Sequence, residues 1–86
     1  MHLSFQIEGS DFAKAGHASR EIKKILKQLG IDPKTIKNIV IALYEAEVNI
    51  VAHAYRGKIE VDIDDKKITT RMIDENEKDF SRIGPL

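Results

Sequence analysis

Several things are scarce in these 86 residues, and each scarcity removes a class of explanation. There is no cysteine, which excludes disulfides, thiol nucleophiles and thiolate metal sites, and which suits a reducing compartment. There is no tryptophan, and only two tyrosines and three phenylalanines, few for a surface that stacks on bases. No apolar run approaches the roughly 20 residues of a membrane span, and Met1-His2-Leu3-Ser4-Phe5 reads as a strand, not as a signal peptide. A cytoplasmic location is the expectation. Fourteen Lys and Arg balance fourteen Asp and Glu, so no global field draws the chain to nucleic acid or membrane. Three histidines lie far apart in sequence, with no zinc-type spacing among them. No glycine-rich phosphate loop precedes a helix, and no Ser/His/Asp set can be defended from sequence.

What is present is an ordinary globular composition, 42% hydrophobic and 33% charged, in a chain long enough for one small domain with a thin stability margin. Leu3, Phe5 and Ile7 alternate with polar neighbours, a strand with one buried face. Gly9-Ser10-Asp11 breaks it, and Ser10 or Asp11 is suited to cap a helix from Phe12. Ala15, Ala18, Ile22, Ile25, Leu26 and Leu29 then line one helical face, with lysines on the other. Gly16 weakens that helix, and Gly30 suits a left-handed residue at its end, with Ile31 folding back. Asp32-Pro33 starts a second helix, running to about Tyr55, with Ile36, Ile39, Val40, Leu43, Ile50 and Ala54 on a wide apolar stripe. Lys58 to Ile63 and Ile68 to Ile73 alternate again around Asp64-Asp65-Lys66, a hairpin. The expected fold class is α+β, a two-layer sandwich in which a small, largely antiparallel sheet is covered by two helices. Residues 1–76 form the domain, and 77–86 are expected to be a tail without periodicity. That leaves strand 68–73 as an open edge, a motive for a homodimer.

The chemistry concentrates on the second helix. Glu45, Asn49 and His53 stand at i, i+4 and i+8, on one side of an otherwise apolar helix. Burying such groups without partners costs roughly 1–3 kcal/mol each, so they either face solvent or serve a polar ligand. Ala42, Ala46 and Ala52 flank Glu45 and Asn49 and leave room above the helix. A Glu there can orient or deprotonate a water, and the Asn oxygen suits a hard cation such as magnesium. Glu47 is the exception. It falls toward Leu43 and Ile50, and pairing with a Lys or Arg is expected. Lys14, Arg20, Lys23, Lys24, Lys27, Lys34 and Lys37 crowd the first half of the chain, either as a solvated face or as a basic docking surface.

The phrase Glu45-Ala46-x-x-Asn49-x-x-x-His53-Ala54-Tyr55 resembles the N-box of the GHKL, or histidine-kinase-like, ATPase superfamily. In this form it is similar to the bacterial anti-sigma factor branch of serine/threonine protein kinases. The resemblance covers nearly the whole chain, as the opening half of that fold. It implies ATP and magnesium as cofactors, Glu45 as the catalytic residue beside the γ-phosphate, Asn49 as the magnesium ligand, and His53 beside the nucleotide. Asp74 matches the Asp of the family's D-x-G-x-G motif, which accepts from the adenine amino group. Asn76, in the place of the first glycine of that motif, is also counted among the nucleotide-binding residues. Asn76 and Lys78 both stand where the family has glycine, and the family's lid and last strands have no counterpart. The resemblance therefore implies an ATP-binding domain with weak or absent turnover, a sigma factor or anti-anti-sigma protein as partner, and neither nucleic acid nor membrane. Its alternative is a non-catalytic module that binds the same partners.

Overall fold

The computed structural model describes residues 1–8, 15–53, 56–74 and 79–85, with the side chains of His53, Asp74 and residues 79–83 outside that description. The elements run β1 (His2–Glu8), α1 (His17–Gln28), α2 (Pro33–His53), β2 (Arg56–Ile63), β3 (Lys67–Asp74) and β4 (Asp79–Pro85). The four strands form one sheet in the order β1-β2-β3-β4, and every neighbouring pair is antiparallel. The helices come between β1 and β2 in sequence and cover one face of the sheet, giving the two layers expected.

The local chemistry explains where the helices stop and start. The N–H of Gly30 donates to Lys27 O at 3.1 Å and that of Ile31 to Leu26 O at 3.1 Å. These bonds satisfy carbonyls that the end of α1 would otherwise leave open. Gly30 sits at φ 72°, where a Cβ is strained. Asp32 then caps α2: its carboxylate accepts from the N–H groups of Lys34 at 3.1 Å and Thr35 at 3.3 Å. Asp32→Ala is expected to lower the unfolding free energy by about 1 kcal/mol in a urea titration; an unmoved midpoint would show that the cap contributes nothing.

The start of α1 differs from expectation. The described helix begins at His17, not Phe12, and Gly16 precedes it at φ 98° as its N-terminal boundary residue. Ser10 and Asp11 lie outside the described residues. Gly16 is thus not a weak point inside the helix but the left-handed residue that turns the chain into it.

Between the layers Ile22 and Leu26 of α1 meet Ile36, Leu43 and Ile50 of α2 and Ile59, Val61, Ile63 and Ile68 of the sheet, all buried. The opposite face of the sheet is polar and carries pairs such as His2–Asp62 at 2.6 Å and Lys58–Glu60 at 3.3 Å. In the β2–β3 turn the Asp64 carboxylate accepts from the N–H groups of Lys66 and Lys67, both at 2.8 Å. Those bonds hold it below the usual carboxylate range.

Residues expected to be a tail form β4 instead, in register with β3 from Ile73↔Asp79 to Lys67↔Pro85. Strand 68–73 is therefore an interior strand, and the edge of the sheet passes to β4. The run 74–79 hid this, because its polar residues carry no strand period, while Phe80 and Ile83 alone are too few to reveal one.

Candidate functional site

The site is built on one side of α2. Asn38, Ala42, Glu45 and Asn49 follow one another at steps of four, three and four residues, a continuous stripe along the helix. Its lower part borders a cavity of about 290 Å³ between α2 and the ends of β3 and β4. Thr35, Asn38, Ile39, Ala42 and Leu43 form the helical wall, and Ile68, Thr70, Gly84 and Pro85 the sheet wall. The cavity is apolar with three neutral hydrogen-bonding side chains, a wall chemistry common in small-molecule sites.

Glu45 and Asn49 continue the stripe beyond the cavity without lining it. Both are exposed, and neither side chain bonds to another described residue. Of their small neighbours, Ala42 and Ala46 are half-buried and Ala52 is exposed. Ala42 alone borders the cavity. Among the described residues no three His, Asp or Glu side chains gather closely enough to hold a metal. A cation beside Asn49 would need other ligands, as magnesium does when it binds through phosphates and water.

One glycine fixes the upper end of the site. A Cβ on Gly57 of β2 would lie 3.0 Å from Ile50 Cδ1 and 3.0 Å from the Ile73 carbonyl oxygen. Ile50 therefore rests directly on the sheet at Gly57, and Asn49 is its chain neighbour. Gly57 in turn pairs with Asp74 across the ladder. The backbone thus brings Asn49 and Asp74 to the same end of the molecule. The side chains of Asp74 and His53, and the whole of Asn76, lie outside the described residues.

Glu47 is buried, at 1% exposure, and among the described residues it pairs with backbone, not with a Lys or Arg. Its Oε2 accepts from the N–H of Gly16 at 2.6 Å and of Ala18 at 3.3 Å, and its Oε1 from the N–H of Ser19 at 2.7 Å. It is the missing cap of α1, supplied from the neighbouring helix. The first N–H groups of a helix need acceptors, and the partial positive charge there favours a carboxylate. A sequence signal existed: Gly16 has no side chain to cap with, so an acceptor had to come from elsewhere. Thr35, Asn38 and Thr70 were also unforeseen, although Thr35, Asn38 and Ala42 share a helical stripe.

A family model described as the histidine kinase-like ATPase domain matches residues 10–84, almost the whole chain. The chain belongs to the histidine kinase-like ATPase domain family. No curated protein matches it. The matched span of this histidine kinase-like ATPase domain contains both helices with the Glu45–Asn49 stripe, the β2–β3 hairpin and most of β4. No described helix is long and apolar enough to cross a membrane.

Proposed function

We propose that this histidine kinase-like ATPase domain binds ATP with magnesium against the Glu45–Asn49 side of α2. We further place it in an anti-sigma-type regulator of the serine/threonine kinase branch, with phosphoryl transfer weak or absent. The observation that carries the reading is the exposure of Glu45 and Asn49 on one side of α2. Both are exposed and bond to no other described residue, one and two turns beyond Ala42 at the cavity wall, on a helix whose other carboxylate, Glu47, accepts from three backbone N–H groups. Asn49 offers a neutral hard oxygen of the kind magnesium accepts. Glu45 is positioned to orient a water or hydroxyl and take its proton. Asp74 shares that end of the fold through Gly57, which supports its role as acceptor for the adenine amino group. Bound magnesium supplies charge neutralisation along the phosphates.

Weak transfer follows from the residues beyond Asp74. Phosphoryl transfer depends on positioning and charge stabilisation around the γ-phosphate, and Asn76 and Lys78 replace the glycines that would let backbone close on the ligand. The partner proposed is a sigma factor or an anti-anti-sigma protein.

Calorimetry with Mg-ATP tests the reading. The chain as it stands should bind, Asn49→Ala should weaken binding at least tenfold, and Glu45→Gln should retain binding while removing whatever phosphoryl transfer exists. No heat and no thermal shift at millimolar Mg-ATP would overturn the proposal.

A further inference from the structure

We propose that the outer groove between α1 and α2 is a docking surface for an acidic, amphipathic helix of a partner protein. Glu47, in the second half of α2, meets the first turn of α1, so the two helices run antiparallel. On α1, Arg20, Lys23 and Lys27 stand at i, i+3 and i+7, all exposed. On α2, Lys37, Ile41 and Tyr44 stand at i, i+4 and i+7, also exposed. The two rows meet at Gly16: a Cβ there would lie 3.3 Å from the Tyr44 ring and 3.7 Å from Arg20 Nη1. From that contact the antiparallel course brings Lys23 toward Ile41 and Lys27 toward Lys37.

Charge and apolar exposure coincide in this groove. None of Arg20, Lys23, Lys27 and Lys37 is in an ion pair with a described carboxylate; the nearby Glu21 is engaged with Lys24 at 3.4 Å. Ile41 is 47% and Tyr44 49% exposed, two of the four exposed large hydrophobic residues among those described. Cations alone would suit a phosphate backbone equally well. Two apolar anchors set among four cations that pair with no described carboxylate suit a helix with a stripe of apolar residues flanked by Asp and Glu. The lysine stems add apolar area beside the anchors. The groove lies on the other flank of α2 from Asn38, Ala42 and Asn49, and Glu45, one turn from Ile41, stands at the border between the two.

The test uses the whole chain and a fluorescent synthetic peptide of about 18 residues, helical, with Leu at i, i+4 and i+7 and Glu on both flanks. A scrambled peptide of the same composition and a short DNA duplex are the competitors. The helical peptide should bind at least tenfold more tightly than the scramble and weaken at least tenfold between low and high salt. The double substitution K23E/K27E should weaken it at least tenfold, and Ile41→Ser at least fivefold. Amide shift changes should concentrate in residues 20–27 and 37–44. These residues are exposed, so the variants should keep the wild-type circular dichroism spectrum, and K23E/K27E, on α1, should also keep the Mg-ATP response. Equal binding of the scramble, tighter binding of the DNA, or no loss in K23E/K27E would each overturn the proposal.

Discussion

Replacing Glu47 by alanine should remove about 3 kcal/mol of unfolding free energy, a large part of what a domain of this size holds in reserve. Three backbone N–H groups, those of Gly16, Ala18 and Ser19, bond to this one carboxylate. Alanine leaves them facing a pocket too buried for water to serve them freely, and each unsatisfied donor carries a desolvation cost. The carboxylate also complements the positive end of α1, an effect strongest where the charge is partly or fully buried. Glu47→Gln should cost about 2 kcal/mol, because its NH₂ group would face donors where an acceptor is needed. Urea unfolding of the three proteins is the measurement. A loss under about 0.5 kcal/mol for the alanine variant, typical of an ordinary surface change, would show that α1 is capped by something else. An equal loss for Gln and Ala would show that the second carboxylate oxygen carries the whole effect.

Gly57→Val should be nearly as damaging, at about 2–3 kcal/mol, by overpacking. The added Cβ meets two atoms at 3.0 Å, the end of the Ile50 side chain and the backbone carbonyl of Ile73. The side chain can turn aside, but the carbonyl is held in the β2–β3 ladder. Ile50→Val in the Gly57→Ala background relieves part of the contact, since it removes Cδ1 and leaves Cγ2, at 3.1 Å, and the carbonyl in place. Rescue should be partial. Full rescue would mean that the ladder yields easily there. The substitution should also push the upper end of α2 from the sheet, so on the proposed function the Mg-ATP affinity of the folded fraction should fall with it.

The fold was legible because its signals are local. The period-two runs at Leu3–Ile7 and Ile59–Ile63, the Asp32-Pro33 start and the Gly30 stop each rest on chemistry within a few residues. β4 was not legible, because its reason for existing is the ladder of β3 and its own pattern is weak. The role of Glu47 was hidden for a similar reason. Sequence placed it on the buried side of α2 and demanded a partner, but the partner is backbone from another helix, and backbone has no letter. At the site, the exposure of Glu45 and Asn49 follows from the helical wheel. The cavity does not, because half of its wall is Ile68, Thr70, Gly84 and Pro85, residues whose proximity depends on β4.

The order of strands carries a consequence for how the chain reaches this shape. β1 precedes the other elements, yet its sheet neighbour among the described strands is β2, and the amino group of Met1 donates to Ile63 O across 62 positions of sequence. The helical pair and the β2–β3 hairpin close short loops, which cost little entropy. The opening strand must wait for both and then dock against a surface already in place. During synthesis, its row of Leu3, Phe5 and Ile7, which packs on the core between helices and sheet, therefore waits for both the helices and the hairpin to leave the ribosome.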